Sequence, residues 1–266
     1  MNARELLDGI QRGDEHSSGI LCLKLFRVTR AFMAELRSDV ERLCQSQLSS
    51  DVTRPEHITY WTRPFGEVAQ FSLLNASGRY DDFSSDHNLS CFGKQFHGAQ
   101  AYPALARLIS VFPHLVNFRI NWLGPRSGLS PHKEHALIRT RSATVGARLR
   151  FHLPITTNPF AELMVGGRIY HLDERTIYCV NHGCVHSAKN DGALPRIHLV
   201  WDMLLTKQAF ECMFGDKSSS LSELTRLPAE ERELIPLRNE HIGAYRQLSP
   251  LVYPEESSEL DFCEPQ

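Results

Sequence analysis

The sequence lacks the features that mark secreted, membrane-spanning and nucleic-acid-binding proteins. Its seven cysteines are scattered and include no CxxC pair, so neither a disulfide framework nor a zinc knuckle is indicated. No apolar run approaches the roughly 20 residues that span a bilayer, and the charged N-terminus has no signal-peptide core. The 29 basic and 31 acidic side chains nearly balance, unlike the cationic surface of a nucleic-acid binder. We therefore expect a cytoplasmic protein with reduced thiols, whose partners include neither nucleic acid nor membrane.

What the sequence does contain is typical of one large globular domain. It has 266 residues, of which 42% are apolar and 23% charged, enough for an ordinary buried core. Its first part contains apolar residues both at strand spacing and at helical spacing. The pattern predicts strands over residues 20–28 and 67–74, and helices over residues 29–44 and 103–112.

From residue 116 the pattern changes to short strands separated by turns. Further strands are predicted at 147–155, 161–165, 168–172, 176–181, 184–189 and 195–204. Gly166-Gly167 and Asn190-Asp191-Gly192 are predicted to be hairpin turns between them. So many closely spaced strands favour a sandwich or jelly-roll barrel, mainly β with flanking helices. We expect residues 1–115 to pack on a catalytic core of residues 116–204, and residues 205–266 to form a helical extension with an acidic tail, all in one structural domain.

The short motif Pro131-His132-Lys133-Glu134 carries the first chemical signal. In an extended segment, side chains two residues apart point the same way, so His132 and Glu134 share a face. With a distant second histidine, such a pair forms the facial triad of non-heme iron(II) oxygenases, which leaves coordination sites for a 2-oxo acid and dioxygen. The motif alone is weak, because a chain with 13 histidines contains such pairs by chance. A surface pair is the alternative.

His186 and Arg196 strengthen that interpretation. Each lies five residues from Asp191, so a hairpin at this turn would place them opposite one another on adjacent strands. Arginine binds a terminal carboxylate well because its planar fork donates two parallel hydrogen bonds. The alternative is a surface arginine, which the apolar run beginning at Ile197 makes less favourable.

The segment from Arg148 to Leu153 adds a cationic strand face. Alternation places Arg148, Arg150 and His152 on one side and three apolar residues on the other. Such a face suits an anionic co-substrate if it lines a cavity, and is merely solvated if it faces outward.

Four segments in order resemble the aspartyl/asparaginyl β-hydroxylase family, whose bacterial members include free-amino-acid hydroxylases such as the proline cis-4-hydroxylases. They are SGLSPHKEHA, ARLRFHLPI, VGGRIYHLDERTIYCVNHGCVHSAKN and PRIHLVWDM, within residues 116–204. The resemblance implies a double-stranded β-helix (a cupin-like jelly roll) that uses Fe(II), 2-oxoglutarate and O2. It implies that His132 and His186, joined by Glu134, hold the metal.

The same resemblance assigns the co-substrate contacts. Arg196 matches the arginine that pairs with the distal carboxylate of 2-oxoglutarate. Arg150 and His152 match positions that contact the co-substrate, and Asn121 stands where a serine assists the distal carboxylate. His198 shares the face of Arg196, and we expect it to orient a ligand rather than bind the metal.

Two departures from the family pattern matter. The animal enzymes lack a carboxylate ligand and the amino-acid hydroxylases more often use aspartate, whereas this chain has Glu134. A carboxylate ligand argues against halogenation, which needs that coordination site for halide. An insertion, EHALIRTRSATVG, follows the metal motif, and we expect it to cover the site and supply substrate contacts from Arg139 and Arg141.

The sequence therefore predicts an Fe(II)/2-oxoglutarate-dependent dioxygenase that hydroxylates a free amino acid or a small derivative, in a specialised biosynthetic pathway. Four alternatives stay open: hydroxylation of a peptide or protein residue, desaturation or cyclisation by the same site, a cupin-like metal-binding sensor, and zinc hydrolysis. Homodimer formation is also left open.

Overall fold

The computed structural model describes residues 1–16, 19–48, 67–84, 90–139, 145–215, 221–242 and 246–247. Its helices are α1 (Ala3–His16), α2 (Arg30–Leu48), α3 (Pro103–Ile109) and α4 (Lys207–Met213). Its strands are β1 (Cys22–Val28), β2 (Val68–Ser72), β3 (Leu115–Leu123), β4 (Ser127–Lys133), β5 (Leu137–Arg139), β6 (Val145–Thr156), β7 (Ala161–Val165), β8 (Arg168–Tyr170), β9 (Thr176–Val180), β10 (His186–Asn190), β11 (Arg196–Leu204), β12 (Leu224–Arg226), β13 (Arg238–Asn239) and β14 (Arg246–Gln247).

The strands form two facing sheets. The main sheet has the order β12-β1-β9-β6-β11-β3-β2, with β5 paired to β6, and the smaller sheet has the order β13-β8-β7-β10-β4-β14. Apolar side chains from both sheets, among them Leu123 and Tyr178 of the first and Leu163 and Val165 of the second, pack together between them. The predicted jelly-roll architecture is confirmed.

The main sheet separates an outer apolar layer from a barrel interior that holds polar as well as apolar side chains. On β3, Phe118, Ile120 and Trp122 are buried in the cluster that the helices share with this sheet, and Asn117, Arg119 and Asn121 alternate with them. Trp201 is fully buried in the same cluster and stacks on Phe112, Phe118 and Phe151. The alternation thus directs the polar residues of β3, β6 and β11 into the barrel.

Helices α2 and α3 cover the outer face of the main sheet. The predicted helical stripe on α2 is buried: Phe32, Met33, Leu36, Val40 and Leu43. The carboxylate of Asp39 accepts the backbone N–H groups of Ala104 and Leu105 at 2.7 and 3.2 Å, which satisfies the first turn of α3. Within the described ranges, no helix is both long and apolar enough to cross a membrane.

One predicted hairpin is confirmed and the other is wrong. Gly166 and Gly167, with φ of 56° and 75°, join β7 to β8 in the tight turn that only such backbone angles allow. The turn at 190–192 instead carries the chain from the smaller sheet to the main sheet, because β10 pairs with β4 and β7 while β11 pairs with β3 and β6. The Asn190 side chain fixes this crossing by donating to the carbonyls of Leu123 and Gly124.

The barrel is also assembled from more of the chain than residues 116–204. Strands β1, β2 and β12 all belong to the main sheet, and β13 and β14 extend the smaller one. The predicted helical extension after residue 205 is therefore wrong for the described part, where α4 is followed by short strands that pair with the free edges of β1 and β8. Arg141 and the acidic tail lie outside the described residues, as does the side chain of Arg139.

Candidate metal centre

Three side chains with metal-binding atoms meet between β4 and β10. His132 and His186 are direct partners across these strands, and Glu134 directly follows β4. Oε1 of Glu134 lies 3.9 Å from Nε2 of His132 and 3.8 Å from Nε2 of His186. One ligand atom from each of the three residues lies within 4.8 Å of the others. The structure thus brings together the three residues that the sequence predicted as metal ligands, although His186 does not reach them through a hairpin with Arg196.

Backbone carbonyls orient both histidine rings. Nδ1 of His132 lies 2.7 Å from the carbonyl oxygen of Ser130, and Nδ1 of His186 lies 2.9 Å from that of Cys184. A hydrogen bond to a carbonyl requires the proton on Nδ1, so Nε2 keeps its lone pair for a metal. Burial lowers the pKa of both imidazoles, which keeps them in the neutral form that ligates.

A metal ion fits this donor set. Nε2 of His186 is buried and has no hydrogen-bond partner in the part of the chain that the structure describes. An unsatisfied buried polar atom is costly, and a bound cation removes that cost. Two imidazoles and one carboxylate are the ligands of non-heme Fe(II) sites.

Two arginines hold the carboxylate of Glu134. Its Oε2 accepts from Nη2 of Arg148 at 2.8 Å and from Nη2 of Arg150 at 2.9 Å, while Oε1 accepts from Nη1 of Arg150 at 2.5 Å. Burial alone raises the pKa of Glu134, but the charges of Arg150 and Arg148 outweigh it and hold the pKa well below its ordinary value. Since Oε2 is occupied twice, Oε1 is the oxygen that retains a lone pair for the metal.

Asp202 in turn holds the two arginines. It lies directly opposite Arg150 on β11, where Oδ1 accepts from Nε at 2.8 Å and Oδ2 from Nη2 at 2.9 Å. Asn117 donates from Nδ2 to the same carboxylate at 2.8 Å, and Nε of Arg148 lies 3.8 Å from it. Arg150 therefore bridges two carboxylates of the protein. Its predicted contact with the co-substrate stays a prediction.

His182 completes this group behind Glu134. Its Nε2 accepts a hydrogen bond of 3.1 Å from Nε of Arg148, and its carbonyl oxygen accepts from the backbone N–H of Glu134 at 3.2 Å. Burial, together with Arg150 and Arg148, lowers the pKa of His182 to about 3, so the ring is neutral. Sequence reasoning gave no role to His182 or Asp202. For Asp202 a signal existed: an acidic residue inside an apolar strand, on the same face as Arg196.

Arg196 is a buried cation without an anion. Its side chain is 2% exposed, and within the described residues no carboxylate or other acceptor binds its guanidinium. Burial lowers its pKa to about 9, which still leaves it protonated at neutral pH. Glu162 lines the same small cavity, but its carboxylate is bound by Arg238 and Lys189. The guanidinium thus has no counter-ion among the described residues.

The remaining predicted residues lie beside Arg196. His152 and His198 face each other with their Nδ1 atoms 3.5 Å apart, and Asn121 is the cross-strand partner of His198. Oδ1 of Asn121 and Nε2 of His198 are buried and have no hydrogen-bond partner in the described ranges. Burial, followed by the charge of Arg196, lowers the pKa of both histidines well below the ordinary value.

A model of the aspartyl/asparaginyl β-hydroxylase family matches residues 35–205, more than half of the chain. No curated protein sequence matches it. Among solved structures, HygX from Streptomyces hygroscopicus, with nickel and 2-oxoglutarate bound, is similar at 11% identity over 73% of this chain and 85% of that one, with a TM-score of 0.41. SnoN, the non-heme α-ketoglutarate-dependent epimerase of nogalamycin biosynthesis, is similar at 14% identity over 88% of this chain and 99% of that one, with a TM-score of 0.40. A Pseudomonas putida prolyl-4-hydroxylase is similar at 11% identity over 74% of this chain and 98% of that one, with a TM-score of 0.36. These structural similarities are loose.

Proposed function

Because this chain belongs to the aspartyl/asparaginyl β-hydroxylase family, we propose that His132, Glu134 and His186 bind Fe(II) and that Arg196 binds the distal carboxylate of 2-oxoglutarate. The chain is an enzyme of the Fe(II)/2-oxoglutarate-dependent oxygenase class. The observation that carries the residue assignment is the buried guanidinium of Arg196, which has no acidic partner among the described residues. A protein that only stores a metal has no need of such a group in the same barrel.

Each residue of the site has a separate task. Bound Fe(II), with 2-oxoglutarate and O2, supplies the oxidising chemistry that cleaves an unactivated C–H bond. His132 and His186 offer neutral Nε2 atoms, because their Nδ1 protons are held by backbone carbonyls. Arg148 and Arg150 hold Glu134 ionised and restrict it to one ligating oxygen, which leaves room for other ligands.

The barrel supplies orientation and a dry environment. Arg196 binds a carboxylate with two parallel hydrogen bonds, a geometry that selects a dicarboxylic 2-oxo acid. Its own charge lacks compensation until such an anion is bound. His132, His186 and Arg196 are all nearly inaccessible to solvent, so the reacting groups are shielded from water once the co-substrate is in place.

We place the substrate among free amino acids and their small derivatives. Among the described residues, the guanidiniums inside the barrel, those of Arg119, Arg148, Arg150 and Arg196, outnumber the carboxylates of Glu134 and Asp202. Fe(II) and the 2-oxoglutarate dianion neutralise each other, so this excess remains after both bind. It favours a substrate that carries an acidic group, as an amino acid does. A peptide substrate is the second candidate, and desaturation or cyclisation is the alternative outcome of the same oxidation.

Purified protein incubated with Fe(II), ascorbate and 2-oxoglutarate tests the proposal. We expect succinate release that a free amino acid stimulates, together with a product that has gained one oxygen atom. Loss of two hydrogens would instead identify desaturation or cyclisation, and stimulation by peptides alone would contradict the free-amino-acid assignment. The His186→Ala variant should release no substrate-stimulated succinate.

We also propose a cytoplasmic location. Cys22, Cys44, Cys179 and Cys184 are buried and unbonded to one another, which is the state of thiols in a reducing compartment. Homodimer formation stays a prediction.

A further inference from the structure

His198 lies two residues after Arg196 on β11 and shares its interior face. The two side chains line one small cavity, too tight for a water molecule in this structure, together with Thr157, Leu163 and Leu172. His198 is 1% exposed, and its Nε2 is a buried polar atom without a hydrogen-bond partner in the described part of the chain. Since a buried polar group of this kind is costly, a ligand that satisfies it is expected in the completed site.

The neighbouring ring of His152 restricts which proton His198 carries. Both imidazoles are neutral, so each has one proton, and their Nδ1 atoms are 3.5 Å apart. Only one Nδ1 can be the donor in that contact. If His152 donates, Nδ1 of His198 accepts and its proton must lie on Nε2, the orphan atom. With this proton assignment His198 has an outward hydrogen-bond donor next to the guanidinium of Arg196, whereas the opposite assignment leaves Nε2 an acceptor that cannot bind a carboxylate.

We propose that His198 is a second binding residue for the distal carboxylate of the 2-oxo acid, to which it donates a hydrogen bond from Nε2 beside Arg196. This inference rests on the proposed function. A carboxylate has about four lone-pair directions, and the fork of Arg196 uses two of them. A neutral donor takes another without adding a second buried charge. In this role His198 contacts the co-substrate itself, rather than orienting another ligand from outside.

The test compares two 2-oxo acids that differ in the distal carboxylate. Dissociation constants of 2-oxoglutarate and of 2-oxobutyrate, which lacks that carboxylate, are measured by calorimetry on the Mn(II)-loaded protein. For His198→Leu we expect about tenfold weaker binding of 2-oxoglutarate and unchanged binding of 2-oxobutyrate. His198→Gln, which keeps a side-chain donor, should lie between the wild type and His198→Leu. The matched control is His171→Gln, a nearby histidine that does not line the cavity, which should bind both acids as the wild type does.

Two results would overturn the inference: a His198→Leu variant that binds 2-oxoglutarate normally, or one that loses both acids equally, as a purely structural defect would cause. Arg196→Ala separates this failure from failure of the proposed function. If the wild type prefers 2-oxoglutarate and only Arg196→Ala removes the preference, then the assignment of Arg196 to the distal carboxylate is right and the role of His198 is wrong. If the wild type shows no preference, both are wrong. If His198→Leu does not fold, the comparison of the two acids in His198→Gln decides.

Discussion

Asp202 and Arg150 form a buried two-point ion pair, with Nε–Oδ1 at 2.8 Å and Nη2–Oδ2 at 2.9 Å. The same guanidinium donates to both oxygens of Glu134 from its other side. Arg150 thus transmits the position of a fixed strand residue to a proposed metal ligand. Such support explains how glutamate, one methylene longer than aspartate, can be held in a single orientation.

We expect Asp202→Asn to weaken metal binding without touching a ligand. The amide cannot accept the paired hydrogen bonds of Arg150, so the guanidinium and the Glu134 carboxylate lose their fixed orientation. Changes in residues that support ligands cost roughly 10- to 100-fold in metal affinity. Titration of the apoprotein with Mn(II) measures this, with the largely exposed Asp173→Asn as the control. A folded Asp202→Asn protein with wild-type metal affinity would contradict the role.

Removing the carboxylate of Glu134 should create an anion site between two arginines. In Glu134→Ala, the guanidiniums of Arg148 and Arg150 keep Asp202 but lose their second acid. Formate is small enough to occupy the vacated space, so millimolar formate should partly restore metal affinity and succinate formation. The matched control is His186→Ala, which formate should not repair, because the ring of His186 hydrogen-bonds to the backbone carbonyl of Cys184 and to no guanidinium of the described residues. Equal behaviour of the two variants towards formate would show that Glu134 is not held in this way.

Strand faces could be predicted from the sequence, but the pairing of strands could not. Alternation correctly placed Arg148, Arg150 and His152 on one face, because the two-residue period is a local property. The turn at Asn190 was predicted, but the strands that pair on either side of it were not. The Asn190 side chain that fixes this turn binds carbonyls of a segment more than 60 residues away. Contacts between residues so far apart in the chain produce no periodic pattern in the sequence.

The same distinction explains which site residues could be predicted. His132, Glu134 and His186 belong to a known ligand set and so were predicted from residue type. The bridge from Arg150 to Asp202 depends on the register of β6 against β11, which no local pattern encodes. The pairing of Arg150 with Asp202 was therefore not predicted, and the predicted contact of Arg150 with the co-substrate stays a prediction.

The neutral ring of His182 should make stability depend on pH. Its pKa is about 3 in the folded protein and about 6.5 when unfolded, so between these values the unfolded chain binds a proton that the folded one does not. Stability is therefore lost as pH falls through this window, by up to about 1.4 kcal/mol per pH unit for one group. His182→Asn keeps an acceptor for Arg148 but does not titrate. Urea unfolding from about pH 7 to about pH 5 should show a flatter dependence for this variant, and parallel curves would exclude the effect.

Arg196→Met should stabilise the free protein while abolishing its use of 2-oxoglutarate. The guanidinium is buried without a carboxylate among the described residues, and an uncompensated buried charge costs about 1–3 kcal/mol or more. Methionine fills similar space without that cost, so the Tm of the apoprotein should rise by roughly 2–4 °C for each kcal/mol relieved.

The co-substrate should reverse this order of stability. With Mn(II) present, saturating 2-oxoglutarate supplies the missing anion and should raise the Tm of the wild type, but not that of Arg196→Met. Arg196→Lys is the matched control: it keeps the buried charge but not the two-point fork, so it should gain less from 2-oxoglutarate than the wild type does. An apo Arg196→Met protein less stable than the wild type would mean that the guanidinium already has a partner within the fold. Its availability to the co-substrate would then be disproved.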